Sequence, residues 1–238
     1  MINFSNIKSL LGRIGFVICL TLMVNGRCHG YVIPAEQILD FMAGNFSNFK
    51  TVVIVQSTLQ TGQDMEKVFM EQVQMKSPDL FELQSLDRIA ERTGTPYMAY
   101  RQLLIANSRA RLEQILSMMG INLQAVSLTR IDGVIAYIIG EKGDNIPKLL
   151  IEKERFLPLL LIYRTRGNML EEVVTVRFQD YRKEGKGWFP FQISYSVDNK
   201  IREEYSIQTF ETNVPINSPL LQPFEIVPSQ DQPPEEIR

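Results

Sequence analysis

The sequence predicts a mainly β fold, one antiparallel sheet of about eight to eleven strands closing around one or two helices. Three observations predict it. From Phe49 to Glu211, segments of alternating or β-branched apolar residues recur, separated by turn residues. Only two stretches, 34–46 and 96–120, carry a helical period instead. The length of 238 residues, 45% hydrophobic and 22% charged, suits one large domain on a single sheet and neither a multi-spanning membrane protein nor a disordered chain.

The first thirty residues stand apart. Met1 to Arg13 carries Lys8 and Arg13 with no acid, and Ile14 to Val24 is an apolar run, short for a permanent bilayer span, closed by Asn25-Gly26. Cys28 and Gly30 supply small side chains where a signal peptidase reads, so residues 1–30 are expected to be a secretory signal peptide cleaved near Gly30. An uncleaved anchor and lipidation of Cys28 are the competing readings; Arg27, which is not small, stands against the second.

Pro34 opens an amphipathic helix with Ile38, Leu39, Phe41, Met42 and Phe46 at helical spacings, ending near Gly44 or soon after. Residues 49–60 then form a strand, Thr61-Gly62-Gln63-Asp64 turns, and residues 65–76 return. In that second strand Phe69, Glu71, Val73 and Met75 share one face and Val68, Met70, Gln72 and Gln74 the other. Leu80 to Leu86 is a third, short strand. Apolar residues on both faces of these strands predict a cover on the second face as well. Pro96 to Gly120 is a helical insertion with Leu104, Leu112, Ile115, Leu116 and Met119 at three- to four-residue intervals and a split near Asn107-Ser108.

Strands resume at Leu123 to Arg130 and Val134 to Gly140, a hairpin on Asp132-Gly133. Residues 149–165 and 171–183 follow around Arg166-Gly167-Asn168. Phe189, Phe191, Ile193, Tyr195 and Val197 then alternate against Gln192, Ser194 and Ser196, and Arg202 to Glu211 is the last long strand. Prolines 215, 219, 223, 228, 233 and 234 break what remains, predicting an irregular surface cover up to Ile226 and a disordered tail over 228–238. The expected organisation is therefore a signal peptide (1–30), one domain (31–227) and a tail (228–238).

Removing residues 1–30 takes away Lys8, Arg13 and Arg27 and no acid, so 25 basic residues become 22 against an unchanged 27 acids, a net charge of −5. Such a surface is a poor partner for nucleic acid, which needs clustered Lys and Arg. The same cut removes Cys19, Cys28 and the single histidine, His29. What remains builds no disulfide, Cys or His metal ligand, thiol nucleophile or Ser-His-Asp triad, while oxygen-ligand and carboxylate chemistry stay open. Asp180-Tyr181-Arg182, Glu141-Lys142 and Glu152-Lys153-Glu154 read as solvated turns and strand edges. The expectation is a non-enzymatic protein with no catalytic residue, no metal and no cofactor. A sheet closed on helices fits either a packed core or an apolar ligand cavity, and the eight methionines left in the exported chain suit a cavity that repacks around a variable guest. The candidate lining is Phe69, Val73 and Met75, with Phe191, Ile193 and Tyr195 from a late strand and Leu112, Ile115, Leu116 and Met119 from the insertion.

In order along the chain stand the helix with Ile38, Leu39 and Phe41, then Lys76-Ser77-Pro78-Asp79-Leu80-Phe81, Ile151-Glu152-Lys153-Glu154-Arg155-Phe156-Leu157-Pro158, and Val176-Arg177-Phe178-Gln179-Asp180-Tyr181-Arg182 before Trp188-Phe189-Pro190. In order and separation these segments resemble the outer membrane lipoprotein carrier (LolA-like) and lipoprotein-sorting family of Gram-negative bacteria, over most of residues 34–225. The resemblance implies an antiparallel half-open β-barrel, lidded by helices, that holds acyl chains of lipoproteins or other lipids in the periplasm. It implies a monomer with transient inner or outer membrane protein partners. A lipid-sensing regulator or a structural envelope protein, using the fold as a protein-binding module, is the alternative. Principal carriers of the family have, before the proline of the strand motif, an arginine that helps hold the lid closed; here that position is Ser77, after Lys76.

Overall fold

The computed structural model describes residues 32–62, 65–87, 92, 98–166 and 171–224. The chain divides into Met1–Val32 and Ile33–Arg238, and the elements described here all belong to the second unit. The expected signal peptide, Gln63 and Asp64 of the first turn, and the expected tail lie outside the described residues.

Period-two patterning has the predicted result. The strands are β1 (Thr51–Thr61), β2 (Glu66–Lys76), β3 (Leu80–Ser85), β4 (Val126–Ile131), β5 (Val134–Gly140), β6 (Lys148–Glu152), β7 (Pro158–Arg166), β8 (Glu171–Glu184), β9 (Gly187–Val197), β10 (Lys200–Thr212) and β11 (Gln222–Pro223). They form one sheet in the order β11-β3-β2-β1-β10-β9-β8-β7-β6-β5-β4, with neighbours antiparallel. Two meanders, β1–β3 and β4–β10, therefore join where the first strand pairs with the tenth. The terminal strands β11 and β4 do not pair with each other, so the sheet is an open half-barrel. Register shifts between Val55 and Gln56, between Leu150 and Ile151 and between Ile201 and Glu203 supply the bends a curled sheet needs. Asp132 and Gly133, at φ of 48° and 82°, make the predicted tight hairpin turn between β4 and β5.

Helix α1 (Ala35–Phe46) buries Ile38, Leu39, Met42 and Phe46. It ends at Phe46, soon after Gly44 as expected, because burying Phe46 offsets the roughly 1 kcal/mol that a helical glycine costs. Phe41 departs from the predicted apolar side: it is 47% exposed, with its ring 4.6 Å from that of Phe156. The insertion splits as the sequence suggests, into a 3-10 helix (Ala99–Leu104) and α2 (Arg109–Met118), whose N-cap Ser108 accepts the Arg111 N–H. Gly120, at φ 75°, follows its last turn.

The expected cover over the second face of the early strands is not found among the described residues. Val68 is 62% exposed, and Val53, Val55 and Leu59 are only half-buried, shielded by their own neighbours in the twisted sheet. Farther along, Ile138, Leu150, Leu160 and Ile162 pack together on β5–β7 as an outer apolar cluster. The chain after Asn213 gives a short strand, β11, paired with β3, and Phe224 stacks on Phe81 at 4.5 Å.

Candidate functional site

The concave face is set by strand parity. Val52 and Ile54 of β1 face inward beside Met75 and Val73 of β2, and Phe178, Ile193 and Tyr205 align across β8, β9 and β10. Farther along, Val176, Leu161, Leu149 and Ile139 continue the same row across β8, β7, β6 and β5. All of these are buried. The result is a broad apolar surface curling across the sheet.

Helices rather than a second sheet cover it. Helix α1 lies against β9 and beside α2, which also touches the 3-10 helix. Tyr100 of the 3-10 helix sits over the middle of the sheet, its ring 6.0 Å from Phe178, 6.1 Å from Tyr195 and 6.4 Å from Tyr205. Polar ties fasten the layer. Asn45 Nδ2 donates to the Arg155 carbonyl at 2.8 Å, and Arg111 of α2 reaches Asp79, in the loop before β3, at 3.4 Å.

At one end of the concave face the apolar row gives way to a buried polar network. Glu71 of β2 and Glu203 of β10 flank β1, and both are fully buried. Arg92, from the chain between β3 and the 3-10 helix, forks onto both oxygens of Glu71 at 2.9 and 3.0 Å and also pairs with Glu203. Thr58 and Gln56 of β1 donate to Glu71 Oε2 at 2.6 and 3.2 Å, while Gln60 at 3.0 Å and the Tyr205 hydroxyl donate to Glu203. Beside them Arg101 of the 3-10 helix donates to Gln56 Oε1 at 2.7 Å and to the Tyr100 hydroxyl at 3.1 Å, with its guanidinium 4.9 Å above the Tyr205 ring. Burial by itself would lower the Arg92 pKa, but the Glu71 hydrogen bonds and the Glu203 charge outweigh it and the pKa rises. Burial pushes the Tyr205 hydroxyl well above its ordinary value, with Tyr100 and Glu203 adding to the shift and Arg101 and Arg92 opposing it; Tyr100 is raised too, chiefly by burial, against the nearby Arg101 charge.

The ten residues expected to line a cavity are all buried, at 6% exposure or less. Phe69, Val73 and Met75 alternate on the inner side of β2, Phe191, Ile193 and Tyr195 on that of β9, and Leu112, Ile115, Leu116 and Met119 on the covered side of α2. Burial of this kind is common to a core and to a closed cavity. Gln192 points away, into a polar depression of about 210 Å³ on the outer face with Ser57, Gln179 and Glu204. Sequence reasoning missed the polar network. Its signals were Glu71 and Glu203, carboxylates on the core-facing parity of β2 and β10; nothing in the spacing pointed to Arg92 or Arg101. Among the described residues no group of three or more His, Cys, Asp or Glu is placed to hold a metal ion.

Neither a family model nor a curated protein matches the sequence. Among solved structures, a LolA superfamily protein from Nitrosomonas europaea matches 77% of this chain and 96% of its own at 12% identity, with a TM-score of 0.51. The chain shares that fold. A domain assigned to outer membrane lipoprotein sorting in Vibrio parahaemolyticus (8% identity, 77% and 95% covered, TM-score 0.49) and a DUF1329 family protein from Desulfovibrio piger (9%, 78% and 96%, 0.49) resemble it more loosely. Ser77, before the proline of the strand motif, donates its N–H to the Lys50 carbonyl at 2.9 Å, and its hydroxyl is buried without a partner among the described residues. The strand motif is tied to the helical layer by Arg111 of α2 and Asp79.

Proposed function

We propose that the domain is a periplasmic carrier or binding protein that holds acyl chains of lipoproteins or other lipids between the concave face and the helical layer. The observation that carries this reading is a sheet-wide apolar surface covered by short helical elements rather than by a second sheet. Those elements are tied by polar contacts such as Arg111–Asp79 and Asn45 to the Arg155 carbonyl, which water replaces at little cost when the layer lifts. Each buried methylene contributes about 0.8 kcal/mol, so two or three long chains supply more than about 10 kcal/mol before losses. Affinity of that size keeps an amphiphile out of water and makes a movable cover the means of release. The work is binding, with no covalent step and no cofactor.

The test is binding of a fluorescent fatty acid by the wild type and by Phe191→Glu, Leu116→Glu and Gln192→Glu, each checked for native circular dichroism. A carboxylate facing the chains must be desolvated or must admit water, so the first two changes should weaken binding by about tenfold or more while Gln192→Glu leaves it unchanged. No binding by the wild type at micromolar protein, or equal binding by the folded variants, overturns the reading.

A further inference from the structure

Arg101 is fully buried, yet among the described residues no carboxylate is in direct contact with its guanidinium. Its two engaged donors meet neutral acceptors, Gln56 Oε1 and the Tyr100 hydroxyl, and Nη1 has no hydrogen-bond partner among the described residues. The acids in the same network are already taken: Arg92 holds both oxygens of Glu71 and one of Glu203, and Thr58, Gln56, Gln60 and Tyr205 donate to the same carboxylates. Counted as charges, Arg92 and Arg101 together balance the two glutamates, but the direct contacts to the carboxylates come from Arg92 and neutral donors, and Arg101 compensates only at a distance. A buried guanidinium without an anion is a costly thing to keep, and a methionine of similar length would fill the space more cheaply. Arg101 is also held in place. Its flat face rests over the Tyr205 ring at 4.9 Å and that of Tyr100 at 5.6 Å, so its orientation is fixed before any partner arrives.

We propose that Arg101 is the head-group contact of the concave face, receiving the carboxylate or phosphate of an anionic acyl amphiphile whose chain lies along the neighbouring apolar row. The inference rests on the carrier reading and narrows its cargo class. The surroundings suit both halves of such a molecule. The same 3-10 helix that carries Arg101 places Tyr100 against Phe178 and Tyr195, where the chain would begin, and an anion at Nη1 adds a charge-assisted hydrogen bond where none exists. A cationic head group would meet the guanidinium with like charge, and an uncharged one would offer Nη1 no charge-assisted hydrogen bond.

The test compares dodecanoate, dodecyl phosphate and dodecanol as ligands of the folded protein by calorimetry, at a pH where both acids are ionised, with inorganic phosphate as competitor. Dodecanoate and dodecyl phosphate should bind about tenfold or more tighter than dodecanol, the size of one added hydrogen bond to a charged group, and millimolar phosphate should not displace them. Arg101→Gln should bring both anionic ligands to the affinity of dodecanol, leave dodecanol unchanged and leave the thermal midpoint equal or higher; Arg101→Lys should retain part of the preference. Equal binding of dodecanol and the anionic ligands by the wild type overturns the inference and leaves the carrier reading standing; that comparison needs no variant to fold. Loss of stability in Arg101→Gln with all three ligands weakened alike overturns it in favour of a structural role. Arg101-dependent binding of inorganic phosphate by itself makes the site one for free anions and overturns the amphiphile assignment. If none of the three ligands binds, the carrier reading falls and this inference with it.

Discussion

At the scale of single residues, the network around Glu71, Arg92 and Glu203 shows how a fold tolerates charge inside an apolar face. Two carboxylates on strands separated by β1 would repel each other in a dry site; Arg92 bridges both, and with Arg101 nearby the buried charges balance. The neighbouring phenols make the network sensitive to base. Tyr205 and Tyr100 keep their protons above the ordinary value of 10.0, chiefly because burial disfavours the phenolate. In the unfolded chain they ionise near that value. Between 10.0 and the folded-state values the native protein therefore binds more protons than the unfolded chain, and its stability falls as pH rises. Below that window the contribution is intact. Alkaline titration should show the phenolate absorbance of these two tyrosines emerging together with the loss of native circular dichroism, and Tyr205→Phe should diminish that step. Smooth ionisation of both near the ordinary value in a still-folded protein would contradict the burial argument.

Elements meet closely where α1 ends against the start of β9. A Cβ on Gly187 would lie 2.4 Å from Phe49 Cζ and 2.6 Å from the Asn45 carbonyl oxygen, and a backbone carbonyl at the end of a packed helix cannot give way as a flexible side-chain tip can. Phe49 is itself locked edge-on against Phe189 and Phe210, at 6.1 and 5.7 Å. Gly187→Ala should therefore cost about 1–3 kcal/mol through displacement of α1, read as a lower urea midpoint with an unchanged slope. A midpoint equal to that of the wild type would mean that the helix end moves freely on the sheet.

For the whole molecule, the open sheet leaves two edges and treats them differently. β3 is shielded by the returning chain, with β11 paired to it and Phe224 stacked on Phe81. β4 has no strand neighbour on its outer side among the described residues, and Leu128, Val134 and Ile135 are partly exposed beside it. No described element is lost if residues 1–30 are removed, since all of them belong to Ile33–Arg238. We accordingly propose that the exported protein begins near Tyr31, and intact mass of the protein isolated from the cell envelope should show that start. An intact Met1 on stably membrane-embedded material would refute it, and an added acyl mass on Cys28 would establish lipidation instead.

Local pattern made most of the elements legible. Alternation fixed which residues of β2 and β9 share a face, because side chains alternate strictly along a strand; Asp132-Gly133 marked its hairpin because both residues must adopt positive φ. Sequence spacing also separated the 3-10 helix from α2, since Ser108 is a cap wherever a helix follows it. It did not reveal that β1 pairs with β10, a contact between residues some 150 positions apart whose register depends on an extra residue, Gln208, in β10. Nor did it show that Glu71 and Glu203 meet at Arg92 while Arg101, among the described residues, touches no carboxylate. Charges bury themselves only when partners converge in space, and convergence of β2, β10 and the insertion is a property of the curled sheet rather than of any segment of the chain.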